Sequence, residues 1–67
     1  LAFKLRGIEL KEMEKLALKA GASKVRKAAV IVLGNTKNPR VRVTLIKATG
    51  DSSYEVRMSA QSALAKL

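Results

Sequence analysis

From residue 9 onward, apolar residues recur in steps of three and four, the interval that gathers side chains on one face of an α-helix. Val25, Ala29, Val32 and Leu33 form one such stripe, and Val56, Ala60, Ala63 and Leu64 form another. The two stripes superpose when the chain is slid by 31 positions, which also lays Arg26 on Arg57. The stretches ahead of them, EKLALKAG at 14–21 and VTLIKATG at 43–50, superpose at an offset of 29, with Leu16 on Leu45 and Gly21 on Gly50. The change of offset puts two additional residues into the second connector, at the turn formers DSS of 51–53, where insertions cost little.

The pattern predicts four helices, near 9–20, 22–34, 39–49 and 53–67. Gly21 and Gly50 are expected as C-terminal caps, and Gly34 with Asn35 as the end of the second helix. Asn38 caps and Pro39 starts the third helix, while Asp51 with Ser53 starts the fourth. LAFKLRG at 1–7 reads as the last turns of an earlier helix ending at Gly7.

A strand reading competes, because RVRVTLI at 40–46 alternates and AAVIVL at 28–33 is rich in β-branched residues. Ile46 breaks the alternation, Ala28 and Ala29 favour helix, and the segments that align with both stretches are helical. The expectation is therefore an all-α chain, with antiparallel helical hairpins stacked as an α-α superhelix. One domain spans 1–67, made of the tail 1–7, a first repeat at 8–36 and a second at 37–67, about two and a half repeats in all. Tandem hairpins of this length, each unable to cover its own apolar flank, define α-solenoids.

NPRVRVTLIKATG followed by DSSYEVRMSAQSALAKL resembles the HEAT repeat, especially the short variety of phycobilisome-lyase-like proteins. The likeness is carried by Pro39, Leu45 with Ile46, Asp51 in the turn, Val56 with Arg57, and then Ala60, Ala63 and Leu64. ASKVRKAAVIVLGN repeats it through Val25, Arg26, Ala28, Ala29, Leu33 and Gly34, but has Gly21 and Ala22 where the family commonly carries an acid. The resemblance implies a solenoid from residue 9 onward and a polar ladder between repeats, in which Asp51 pairs with Arg57 or with Arg26. An arginine fork suits a carboxylate, and a carboxylate at a helix N-terminus is favoured by the dipole. Fold likeness implies little about activity.

Size and charge add limits. A chain of 67 residues buries only about 60 % of its unfolded surface. Cys and His are absent, which removes disulfides and the two best zinc ligands. Stability must then come from neighbouring repeats or self-association, and both ends, Leu1 and Leu67, read as cut. The isolated peptide is expected to be weakly folded or self-associating. Fourteen basic against five acidic side chains give a net charge of +9, which attracts nucleic acid, acidic membranes or acidic proteins alike. No apolar run approaches the roughly 18 residues of a membrane span, and no signal-peptide profile opens the chain. A soluble, cytoplasmic protein is the expectation.

Reaction chemistry is poorly served. Ser23, Ser52, Ser53, Ser59 and Ser62 have no histidine to activate them, and the acids do not pair across a visible cleft. No Walker or dinucleotide glycine loop and no recognition-helix motif is present. The expectation is a non-enzyme with no cofactor and no metal.

Two surfaces stand out. In a solenoid the second helix of each hairpin lines the concave side, so Lys24, Lys27, Ile31 and Met58 form the expected contact ridge, with Val30 alongside; the competing reading is that neighbouring helices cover Val30 and Ile31 and that the lysines are ordinary solubilising charge. Lys11, Lys15 and Lys19 recur at i+4 on the first helix, and Arg40, Arg42 and Lys47 extend a basic stripe along the convex side. Glu9, Glu12 and Glu14 counter the helix dipole there and partly neutralise the stripe. The stripe suits phosphates, yet Phe3 and Tyr54 are the only aromatic residues, too few to stack single-stranded bases. A solvated basic face is the favoured meaning. The leading expectation is a protein-interaction scaffold whose partner is acidic or partly apolar. Nucleic-acid backbone binding and a structural appendage of a larger enzyme, such as a zinc aminopeptidase, are the alternatives.

Overall fold

The computed structural model describes residues 9–67, so the expected helical tail at 1–7 lies outside the described residues. Helices α1 (Leu10–Lys19) and α2 (Ser23–Thr36) form a first hairpin. A 3-10 turn (Pro39–Val41) runs straight into α3 (Arg42–Ala48), which pairs with α4 (Tyr54–Ala65). No strand occurs among the described residues, and both strand-like stretches are helical. Within each hairpin the helices pack on one another, and the broadest contact joins α2 to α4 across the hairpins. The first helices thus form one layer and the second helices another.

The core between the layers consists of Met13 and Ala17, Ala29, Val30 and Leu33, Val41, Leu45 and Ala48, then Val56, Ala60 and Ala63. The α4 stripe is inward as expected. On α2 the inward face is turned by about one residue. Val25 is 44 % exposed, whereas Val30 is fully buried, as the competing reading of the ridge has it, and Ile31 is not. The reason is that α2 must meet α1 on one side and α4 on the other, which draws Val30 inward. Val25 is left half-exposed on its flank, whereas its counterpart Val56 is fully buried on a helix that packs against both α2 and α3.

The hydrogen bonds set the repeat length. Arg26 Nη1 donates to the carbonyls of Ala20 and Gly21, and Arg57 Nη1 donates to those of Asp51 and Ser52. One step of 31 positions therefore relates the two hairpins through both connectors. By that step Leu45 corresponds to Glu14, and Leu16 corresponds to Lys47. Burial agrees, since Leu45 is fully buried and Leu16 is 38 % exposed. The second connector is nevertheless longer, because α3 ends at Ala48 and its last turn tightens into bonds from Gly50 N–H to Lys47 and from Asp51 N–H to Ala48.

The caps follow the sequence in part. Asn38 Oδ1 accepts the Arg40 N–H at 2.9 Å with Pro39 in the first turn. Asp51 Oδ1 accepts the Ser53 N–H at 2.8 Å. The expected stop at Gly34 is not one: α2 passes through Gly34 to Thr36, and Lys37 takes the left-handed conformation at φ 54°. Gly21 and Gly50 do not adopt positive φ. Gly34 serves packing instead, since a Cβ there would stand 2.6 Å from the Cβ of Ala63 and 2.9 Å from its Cα. Its missing side chain lets α4 approach α2.

Candidate functional site

Three sets of side chains carry the polar chemistry of the described surface. The first lies at the junction of the hairpins. Arg26 reaches Asp51 through two parallel bonds, Nε to Oδ2 at 2.9 Å and Nη2 to Oδ1 at 3.0 Å. These side chains are only 14 % and 8 % exposed, so water screens the pair weakly. The guanidinium is aimed by its bond to the Ala20 carbonyl at 2.8 Å. The hydrogen bond from Arg26 holds the Asp51 carboxyl below the usual carboxylate range against the opposing effect of desolvation. The same bond raises the Arg26 guanidinium further above its ordinary value. Arg57 meets Asp51 through the backbone carbonyl alone, at 2.9 Å, and its guanidinium lies 5.7 Å from the Tyr54 ring centre.

The second set borders a groove between α2 and α4, an open hollow of about 360 Å³. Ile31 and Met58, each 42 % exposed, face into it from different hairpins, with Ser62 and Lys66 on the α4 wall. Two further contacts join α2 to α4 and its end, the ion pair from Lys27 Nζ to Glu55 Oε1 at 3.4 Å and the bond that Lys66 Nζ donates to Asn35 Oδ1 at 2.9 Å. Of the expected ridge, Ile31 and Met58 line the hollow, whereas Lys24 and Lys27 do not, Lys24 standing exposed and Lys27 pairing with Glu55 of α4. Ser62 lies on the face the sequence presents with Met58, whereas Lys66 was not singled out. The spacing of four and eight residues after Met58 puts all three on one row of α4, which is the signal that identifies Lys66.

The third set covers the outward face of α1 and α3. Lys11, Lys15 and Lys19 are exposed on successive turns of α1. Arg40 leans back to Glu14 at 3.8 Å, and the other Glu14 oxygen accepts the Thr44 hydroxyl at 2.6 Å. Arg42 and Lys47 are exposed but flank Val43 and Ile46, which are 62 % and 53 % exposed. The expected basic stripe is therefore interrupted on α3. Val41, Thr44, Leu45 and Ala48 take the inward face of that helix, which leaves Val43 and Ile46 on the opposite one and the cations at its margins.

Among the described residues no group of three acidic, His or Cys side chains converges as a metal site. No described helix is long and apolar enough to cross a membrane. A family model described as HEAT repeats matches residues 10–67. No curated protein and no solved structure matches the chain.

Proposed function

The chain belongs to the HEAT-repeat family, and from that premise we propose that it is a non-catalytic scaffold whose α2–α4 groove receives a segment of a partner protein. Repeats of this family generally serve as protein-interaction scaffolds. The observation that supports the groove is the convergence of Ile31 and Met58 from separate hairpins into one half-exposed apolar floor. An aliphatic or methionine-bearing side chain of the partner would fill it, since Met adapts to irregular contacts. Lys66 in the lining, with the net charge of +9, favours acidic residues beside that anchor. The Arg26–Asp51 pair acts as a ladder rung: it fixes the spacing of the repeats at 8–36 and 37–67, so the groove is formed before the partner arrives.

The test is a titration of peptides that carry one leucine between acidic residues, followed by amide NMR. Shifts confined to the residues around Ile31, Met58 and Ser62, and lost in Met58→Glu, are the expected result. Binding that survives Met58→Glu overturns the groove. Salt distinguishes the nucleic-acid reading, because phosphate contacts give log affinity a slope near −0.9 per contact. An apolar anchor tolerates salt far better.

A further inference from the structure

The outward face of α1 and α3 has a feature the groove does not explain. Val43 and Ile46 are among the most exposed large apolar residues described, at 62 % and 53 %. The fold does not require them to be apolar. By the step of 31 that relates the hairpins, their counterparts on α1 are Glu12 and Lys15, both exposed. The same architectural position is thus charged in one hairpin and aliphatic in the next.

Around the pair stand Arg42 and Lys47 on the same helix, with Lys11, Lys15 and Lys19 on the neighbouring α1. The acids on this side are few. Glu14 is engaged by Thr44 and Arg40, which leaves Glu12, and Glu9 at the start of α1, as the remaining negative charges there. We propose that this face docks on an anionic membrane surface, with Val43 and Ile46 entering the headgroup region and the five cations meeting lipid phosphates and carboxylates. A bilayer interface accepts protruding aliphatics among cations, whereas a nucleic-acid backbone offers them nothing to enter. Charge or apolar insertion alone gives weak, reversible attachment, and two such signals together hold a protein at the surface. A cation beside an anionic leaflet contributes about 1 kcal/mol, which is about fivefold in partitioning.

The experiment is flotation of the chain with phosphatidylcholine vesicles, with and without phosphatidylserine. Flotation is expected only when phosphatidylserine is present. The double variant Val43→Ser with Ile46→Ser is expected to lose about tenfold or more in partitioning, with helicity by circular dichroism unchanged because both side chains are exposed. Lys15→Gln is expected to lose about fivefold. Met58→Glu, which disables the groove on the other layer, is not expected to alter flotation, so this inference and the proposed function fail separately. No flotation of the parent chain overturns the proposal. So does a double variant that floats like the parent, which marks plain attraction to polyanions. A dimer that dissolves in the double variant, with no flotation of the parent, assigns the face to a second copy and also overturns it.

Discussion

Arg26 and Arg57 stand at the same place in their hairpins and each binds the two corresponding carbonyls of its own connector, yet only Arg26 also meets a carboxylate. The acid comes from the second connector, and the first has Ala20 at the corresponding position. The bond within each hairpin and the bond between hairpins are therefore separate devices that share one side chain. Other positions related by the same step diverge in the same way. Leu45 is fully buried where Glu14 reaches across to Thr44, and Val30 is fully buried where Gln61 is exposed. Gly34 lies against Ala63, whereas Ala65 is exposed. A neighbour on one flank, more than the residue's own helix, decides which pattern becomes core.

The sharpest way to break this correspondence is at Leu45. Leu45→Ala removes a fully buried side chain and is expected to cost about 3 kcal/mol, a large share of the stability of so small a domain. Glu14→Ala at the matching position loses one hydroxyl bond and a long ion pair, and is expected to cost about 1 kcal/mol. Urea unfolding followed by circular dichroism compares the two, and equal losses would refute the 31-residue correspondence. Gly34→Ala comes next. Helix propensity favours alanine by up to about 1 kcal/mol, but the new Cβ meets the backbone Cα of Ala63 at 2.9 Å, and relief of such crowding costs about 1–3 kcal/mol. A net loss is expected. Ala65→Gly, its match in the exposed row, is expected to lose only the propensity term, about 0.5–1 kcal/mol.

Asp51→Asn tests the device between hairpins and is expected to cost about 1–2 kcal/mol at neutral pH. Because the folded carboxyl titrates below its ordinary range, its contribution is fully present above the unfolded pKa. It is lost as pH falls from the ordinary carboxylate range toward the depressed folded value. The parent and Asp51→Asn stabilities should therefore converge in acid, and a gap that stays constant with pH would show that the charge is irrelevant. Lys37→Gly works in the other direction. It relieves the left-handed strain at φ 54° and is expected to stabilise the link between the hairpins by up to about 1 kcal/mol, read as a raised urea midpoint.

The helices, the α4 stripe and the Asn38–Pro39 start were legible because each rests on local periodicity or local capping. What was not legible depends on approach between elements. Val25 fits its helical stripe perfectly well, yet it is left half-exposed while Val56 is buried on a helix that packs against both α2 and α3. Gly34 looks like a stop signal from sequence, and only the position of Ala63 shows that its function is close packing. Leu16 was matched to Leu45 by identity, whereas the arginine-to-carbonyl bonds relate Leu45 to Glu14. For the candidate surfaces, Ile31 and Met58 were named from their faces. Lys66 shares the α4 row of Met58 and could have been named with it, but its bond to Asn35 in the other hairpin depends on how the hairpins stack, which no single-helix pattern encodes.

The smallest effect separates the two arginines themselves. Where Arg26 has a carboxylate, the Arg57 guanidinium lies 5.7 Å from the centre of the Tyr54 ring. Tyr54 is 65 % exposed, and a cation over an exposed ring contributes about 0.5–1 kcal/mol. Tyr54→Ala is expected to lose about that much and no more, since both carbonyl bonds of Arg57 remain. Added salt should leave this loss nearly unchanged, because the ring carries no net charge, while surface ion pairs such as Lys27 with Glu55 weaken as the Debye length shortens. Urea midpoints of Tyr54→Ala and of the parent in low and high salt decide it. A loss as large as that of Asp51→Asn would mean that the ring stands in for the missing acid, and the two hairpins would then be alike in strength, differing only in chemistry.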